Sequence, residues 1–484
     1  MKLPVLNLNP ETLFKTILYA LLGLSSFSFL LNPLTNDFRI YQGVARISSY
    51  YPDAITGLDL AWEIKPVANR GLNYILYQVA NAVAVFGTPE YELCVKLLSL
   101  GIVLAICWYF GRQLKNEMLF PLSAFLLLST SNFIVGQAEW WAVLFSLLAI
   151  ALFLADHKYL WCLGGVVVTL IFAFKGITIL LIIPIIVALF LYRKDWLVRL
   201  VYGGVASVVA LLILIVTFPH MLSDMILSAY IARVGLYSTE NLLFSGVLNG
   251  VASLYLIPGI LGGTLAGIIT LPRVLKQPRF KMLAIIGMWI TCFAIICIQS
   301  EFFVTHYIVL LLPIIITLPL LTRDVLYPMV FISAIFFLLL SANWGVMMVV
   351  ENDFWQVQTR YHSDMLTALP DLTSQDEILY LNSGNAPYYL GVNSSCRYST
   401  PLPFQRNSPT WNITHLPEYR DQFACTMAYE GEYIIMDSSP WLGNDTPDNQ
   451  AVWNKINTDY EKVWSMGWDV YGRINGTSTV LPRR

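Results

Sequence analysis

The chain has 484 residues, 57% of them hydrophobic, 14% aromatic and only 12% charged, with a formal net charge of -2. Soluble domains carry about a quarter charged residues, so half that share, with a mean hydropathy of +0.62, is a membrane composition. With 29 basic residues against 31 acidic ones there is no electrostatic footprint for nucleic acid, and a soluble enzyme, a disordered chain and a DNA-binding protein are all poor readings.

Charge is unevenly spread. The segment from Gly345 to the C-terminus holds 16 of the 31 acids, which predicts a membrane module over 1–344 and a water-soluble α/β domain over 345–484. Within the first part, apolar runs suited to bilayer-crossing helices of about 20 residues, somewhat fewer where protein packs around the end, centre on 15–32, 92–111, 118–135, 141–155, 160–175, 177–192, 200–219, 254–271, 282–299, 307–322 and 325–344. The expected fold is a polytopic α-helical membrane protein with about 11 transmembrane helices. The first run lacks a small-residue cleavage site and further spans follow, so it reads as a span and not as a signal peptide.

Basic residues mark the cytoplasmic side of short loops. Arg112 and Lys115, Lys158, then Arg193, Lys194 and Arg199, then Arg273, Lys276, Arg279 and Lys281, and finally Arg323 all fall on one side if Lys2 and Lys15 are cytoplasmic. An odd number of spans then exports the C-terminal domain, from a plasma or inner membrane, or into the ER lumen of a eukaryote. That domain holds Cys396 and Cys425, a pair that reads as a disulfide in an oxidising compartment, and four N-x-S/T sequons at Asn393, Asn412, Asn444 and Asn475. Glu377 to Leu381 and Glu432 to Met436 read as strands, Asn449 to Ser465 as a helix and Trp468 to Ile474 as a last strand.

The polar residues gather on the exported side. A first exported loop of about sixty residues, 33–90, carries Asn36-Asp37-Phe38-Arg39-Ile40-Tyr41, Asp53, Asp59, Trp62-Glu63-Ile64-Lys65-Pro66 and Asn69-Arg70, with an uncharged interfacial helix expected over 72–86. Gly136-Gln137-Ala138-Glu139-Trp140-Trp141, Lys175, His220, Asp224, Arg233, Glu301 and His306 reach the same face. Singly each has an ordinary explanation: Asp37 as a helix cap, Lys175 as a snorkelling lysine, Glu139 as a belt residue, His306 as a structural histidine. Ionisable groups converging at membrane depth instead line a cavity with a task.

This layout resembles the GT-C superfamily of integral-membrane glycosyltransferases. The sequence Asp37-Phe38-x-Ile40-Tyr41 is similar to the start of the first exported loop in polyprenyl-phosphate-mannose-dependent members, and Lys65-Pro66 to the Lys-Pro further along it. Gly136-Gln137-x-Glu139 and Phe174-Lys175-Gly176 resemble the Gly-Gln and Lys motifs of the mannosyltransferase branch, and His306-Tyr307 before Leu312-Pro313 the His-Tyr step. The resemblance covers residues 1 to about 345 in layout. Two departures stand out: Asn36 replaces the second acid of a common acidic pair, and no proline follows Lys175.

The resemblance implies transfer of a hexose, such as mannose, from a polyprenyl-phosphate donor to a glycan, lipid or protein acceptor, with inversion. Such chemistry needs a carboxylate to take the hydroxyl proton, cations to hold the departing phosphate and a sheltered groove for both substrates. Asp37 is the expected base. Lys65, Arg70 and Lys175, then Arg39, are expected on the phosphate, and Glu139 and His306 on sugar hydroxyls or phosphate. Tyr41, Glu63 and Gln137 complete the substrate-binding candidates, and Trp62, Trp140 and Trp141 could stack on sugar or line a lipid groove. No cofactor is implied and a divalent metal is not required. The absence of a Gly-rich nucleotide loop favours a lipid-linked donor. The rivals are a surface-polysaccharide polymerase or ligase, a transporter or flippase, for which two related halves would be expected, and a scaffold.

Overall fold

The first apolar run folds as the helix Pro10–Leu31, opened by proline in its first turn and by Asn9, whose side-chain oxygen accepts from the Glu11 amide at 3.1 Å. Both are standard start signals, proline because it has no N–H to lose and asparagine because it caps an orphan donor. The computed structural model describes residues 9–32, 34, 36–50, 53, 67–130, 134–227, 250–253, 256–274, 278–299, 304–342, 369, 377–381, 386–390, 392–396, 414–437, 446–465 and 468–474. The chain is mostly helical, with one small mixed sheet near the C-terminus.

Each of the eleven apolar runs contains a helix. Four helices among the described residues, Pro10–Leu31, Pro89–Gln113, Trp196–Thr217 and Arg279–Ile298, are long and apolar enough to cross a membrane, and others such as Leu119–Leu128 and Lys158–Phe174 are shorter. Trp196–Thr217 shows what the composition demands. Of its 22 residues Arg199 and Gly203 are buried, while Val205 and Val216 are 63% and 81% exposed. An apolar patch this long on a single helix fits lipid and not water; the chain is an integral membrane protein.

By contact density the chain forms two units. The first comprises Met1–Thr35, Lys96–Leu214 and Glu240–Phe354, the second Asn36–Val95, Ile215–Thr239 and Trp355–Arg484. In the first unit the core is the antiparallel pair Ala138–Leu154 and Lys158–Phe174, with the former buried along almost its whole length. Gly165 and Gly203 let two helix backbones meet: a Cβ on Gly165 would run into the Gly203 carbonyl, and one on Gly203 into the Phe153 ring. Small residues at such crossings replace the hydrophobic drive that lipid removes. The C-terminal end of Ala138–Leu154 is closed by cations. Arg199 donates to the carbonyls of Phe153 and Ala155 at 2.6 and 2.5 Å and lies 4.5 Å over the Trp161 ring, and Arg193 donates to the Leu154 carbonyl. Positive charge there also complements the helix dipole.

The second unit includes, from Asn36 on, the described part of the expected first exported loop. That segment holds two helices among its described residues, Asn36–Ser48 packed against Val67–Asn81, the second beginning and ending five residues before the helix expected over 72–86. The sheet has the order β2-β1-β3-β5-β4, from β1 (Glu377–Leu381), β2 (Asn393–Ser394), β3 (Tyr433–Asp437), β4 (Tyr460–Ser465) and β5 (Trp468–Arg473). β1 is parallel to β2 and β3, whereas β5 is antiparallel to β3 and β4. The predicted strands over 377–381, 432–436 and 468–474 are found within one residue at each end. The predicted helix over 449–465 is not: it is Pro447–Asp459, followed directly by β4. Tyr460 to Ser465 pairs with β5 in a hairpin whose registers include Tyr460↔Arg473 and Ser465↔Asp469, so cross-strand pairing overrides the helical reading.

Leu379, Leu381, Ile434 and Met436 of the sheet pack with Val452, Ile456 and Tyr460 in one core. The expected disulfide closes this core: Cys396 and Cys425 are bonded with a Cα–Cα distance of 5.9 Å across 29 residues of chain. A loop of that length corresponds to about 3–4 kcal/mol in the chain-entropy account. Thiol reagents are therefore expected to label neither residue in the folded protein until it is reduced; equal labelling with and without reductant would show that the bond does not form. Of the sequons, Asn393 lies in β2, and Asn412, Asn444 and Asn475 lie outside the described residues.

Candidate functional site

Asp37 lies in the first turn of the helix Asn36–Ser48, which begins five residues after the first membrane helix ends at Leu31. A carboxylate in a first helical turn is favoured by the positive end of the dipole. The helix is held on almost every side. Phe38, Tyr41, Val44, Ala45 and Ile47 are buried, and Gln42 donates to Asn73 Oδ1 at 2.7 Å while accepting from the Tyr91 hydroxyl at 2.5 Å. Asn73 in turn donates to the Asn69 carbonyl at 2.9 Å. These buried hydrogen bonds tie the helix to Val67–Asn81 and to Tyr91.

Arg39, two residues beyond Asp37, is committed to a carboxylate. Its Nε donates to Glu92 Oε1 at 2.9 Å and its Nη2 to Glu92 Oε2 at 3.5 Å, and the Tyr388 hydroxyl donates to the same Oε1 at 3.0 Å. Arg39 is 6% exposed, and Glu92 and Tyr388 are fully buried. Tyr388 belongs to the short helix Ala386–Leu390, between β1 and β2, which packs on the helix of Asp37. Arg70 is likewise engaged: its Nη2 donates to Asp224 Oδ2 at 3.4 Å, with both side chains buried. Tyr41 is buried in the same unit, and Asp53 is exposed.

The first unit brings three of the predicted residues together. Gly136, at φ 83°, makes the turn that starts the helix Ala138–Leu154; a side chain would be strained there. Gln137 caps the helix with an extended backbone, and Glu139 stands in its first turn. Lys175 ends the helix Lys158–Phe174 in an extended conformation, and His306 sits in the 3-10 segment Val304–Leu310. Lys175 Nζ lies 2.5 Å from Glu139 Oε1, and His306 Nε2 lies 3.5 Å from the same oxygen. The Glu139 and His306 side chains are 2% and 3% exposed, whereas that of Lys175 is 23% exposed. Glu139 starts this 17-residue helix and Arg193 and Arg199 close its end, so the Glu139 cluster and the arginine pair lie about 25 Å apart along it.

The tryptophans beside Glu139 do not line a groove. Trp140 and Trp141 are fully buried, and Trp140 Nε1 donates to the Leu127 carbonyl at 3.3 Å; they are core residues of the helix packing. Asp59, Trp62, Glu63, Lys65, Arg233 and Glu301 lie outside the described residues. Glu92 and Lys96 are residues that sequence reasoning passed over. Both are buried, and Lys96 Nζ donates to the Leu30 carbonyl at 3.0 Å. They stood within the predicted span 92–111, where any ionisable group signals a partner. Among the described residues no group of three or more His, Cys, Asp or Glu side chains gathers as a metal site.

No family model and no curated protein matches the chain. Solved structures do. The oligosaccharyltransferase of Archaeoglobus fulgidus, in complex with Zn and sulfate, matches with a TM-score of 0.48 at 12% identity, covering 94% of this chain and 73% of its own. The archaeal oligosaccharyltransferase AglB from A. fulgidus, with an inhibitory peptide and a dolichol-phosphate, matches with a TM-score of 0.45 at 12% identity over 96% of this chain and 75% of its own. ArnT from Cupriavidus metallidurans bound to undecaprenyl phosphate gives 0.48 at 14% identity, over 98% of this chain and 100% of its own.

Proposed function

We propose that this protein is a membrane glycosyltransferase that moves a sugar from a polyprenyl-phosphate donor to an acceptor hydroxyl on the exported side, with Asp37 as general base. The observation that carries the reading is the placement of Asp37 at the start of a helix clamped by buried polar contacts, five residues from the end of a membrane helix. A lipid-linked donor has its phosphate at that depth, and a base there meets both the phosphate and a water-borne acceptor. The N-terminus is cytoplasmic in this reading, 1–344 is the membrane module and 345–484 the exported domain.

The acceptor oxygen attacks the anomeric carbon as its proton passes to the Asp37 carboxylate. The bond from that carbon to the phosphate oxygen breaks, and the polyprenyl phosphate leaves with the electron pair. Direct displacement inverts the anomeric centre, and a phosphate leaving group needs no general acid. Lys65 holds the phosphate. Lys175 is paired with Glu139 in the first unit, and Arg39 and Arg70 are buried on carboxylates in the second. Glu139 and His306 set the position of the Lys175 ammonium, while Arg39 and Arg70 hold their helices in place. Tyr41 and Glu63 shape the surroundings of the sugar.

The donor class is the test. Purified protein given an acceptor and either a polyprenyl-phosphate-linked or a nucleotide-linked hexose is expected to form product from the lipid-linked donor alone. Transfer from the nucleotide donor and none from the lipid donor would remove this reading.

A further inference from the structure

The far end of the helix Asn36–Ser48 opens on a cleft of about 470 Å³, lined by Arg46, Tyr50, Tyr77, Asn81, Val85 and Phe86 among others. Arg46 stands in the last turn of that helix. Its guanidinium lies 4.7 Å over the Phe86 ring, and its Nε donates to the Tyr50 hydroxyl at 3.1 Å. No carboxylate among the described residues is within ion-pair distance of it. A half-buried guanidinium in a cleft, held by an aromatic face and a hydroxyl and with no carboxylate among the described residues at ion-pair distance, is arranged to receive an anion.

The surroundings say which anion. Phe86 lies three residues before Pro89, where the helix Pro89–Gln113 begins, itself long and apolar enough to cross a membrane. A bilayer that takes up this helix would have its surface close to the cleft. The stretch from Gly71 to Pro89 contains no Asp, Glu, Lys or Arg. Ile75 and Val79, four apart on the helix Val67–Asn81, are 61% and 47% exposed, and Val83 and Val85, in the segment that follows it, are 74% and 70% exposed. Apolar side chains in that spacing beside a cation suit a helix lying in the headgroup layer. Burial pushes the Tyr77 phenol above its ordinary pKa, so it keeps its proton and donates.

We propose that this cleft binds the phosphate of an anionic phospholipid, with Arg46 as the charged contact, Tyr77 and Asn81 as hydrogen-bond donors, and Ile75, Val79, Val83 and Val85 resting in the acyl boundary. The site is not the one proposed for transfer. Arg46 is nine residues from Asp37 on one helix, about 14 Å along its axis, so the inference stands or falls independently of the glycosyltransferase reading.

The test is native mass spectrometry of the full-length protein in detergent, titrated with phosphatidylglycerol or phosphatidylcholine of the same chain length. Wild type is expected to hold one more phosphatidylglycerol than R46Q at matched concentration. A loss of affinity of about fivefold is expected for that lipid alone, as for one basic residue at a membrane surface. Asn81→Asp, an exposed change that puts negative charge in the cleft without touching the core, is expected to do the same and serves where R46Q does not fold. Unchanged phosphatidylglycerol binding in the folded variants would overturn the proposal. Displacement of the lipid by equimolar inorganic phosphate would overturn its lipid part and leave a soluble-phosphate site.

Discussion

Replacing Asp37 by asparagine is expected to lower the rate of sugar transfer by about 10²–10⁴-fold, the usual contribution of a general base, while leaving the protein folded and in the membrane. The two side chains have the same shape, and asparagine can occupy a first helical turn. The lost interaction with the helix dipole is worth about 0.3–1 kcal/mol, too little to unfold a helix whose Phe38, Tyr41, Gln42 and Val44 are all buried. The loss should fall on kcat with KM little changed, because the carboxylate acts on a proton that moves only in the transition state. The checks are the single-turnover rate together with protease resistance of the purified variant. An intact, protease-resistant D37N protein with the wild-type rate would leave Asp37 without the role assigned to it.

The second large effect is on stability. Glu92→Gln leaves the buried Arg39 guanidinium without its counter-charge, and the Tyr388 hydroxyl meets an amide in place of a carboxylate. Breaking one partner of a buried ion pair typically costs about 3–5 kcal/mol, whereas replacing both partners by apolar groups of similar size is often close to neutral. The Tm of the full chain in detergent should therefore drop clearly in Glu92→Gln, and the double variant Arg39→Met with Glu92→Met should recover much of the loss. The pairing of the two responses is the diagnostic: a Tm in Glu92→Gln equal to that of wild type would mean that the contact contributes nothing in solution. The same triad joins the helix of Asp37 to the short helix Ala386–Leu390 through Tyr388, so that segment helps to hold the helix of Asp37.

The membrane helices were legible because lipid imposes one rule on every span, a run of apolar residues, and the runs at 15–32, 92–111 and 282–299 correspond to Pro10–Leu31, Pro89–Gln113 and Arg279–Gln299. Helices that pack against protein instead of lipid are shorter, as Leu119–Leu128 shows. The helix Asn36–Ser48 escaped a reading tuned to apolar runs. Its signal was periodic: Phe38, Tyr41, Ala45 and Ser48 recur every three or four residues and all are buried, the pattern of an amphipathic helix. Tyr460 to Ser465 was read as helix because the run before it is helical; its pairing partner, Trp468 to Arg473, was the stronger determinant.

The site was legible in part. The dense motifs around Gly136-Gln137-Ala138-Glu139 and Lys175 drew attention, and Glu139, Lys175 and His306 meet at one carboxylate oxygen. What those motifs could not carry was the pairing of Arg39 with Glu92, 53 residues away, and of Glu92 with Tyr388, a further 296 residues on. A buried ion pair is a property of the folded core, and only the presence of a charge within an apolar run advertises it. By the same limit Trp140 and Trp141 looked like ligand-stacking groups in sequence, whereas helix packing uses them wholly as core.

The central claim is transfer from a lipid-phosphate-linked sugar with Asp37 as base. The most direct measurement follows radiolabel from polyprenyl-phosphate-mannose and polyprenyl-phosphate-glucose in membranes carrying wild type or Asp37→Asn in parallel. Label moving to an acceptor with wild type, and falling by at least about 10²-fold with Asp37→Asn, is the predicted result. Equal transfer by both proteins would contradict the assignment of the base, and no transfer from either donor by wild type would contradict the donor class.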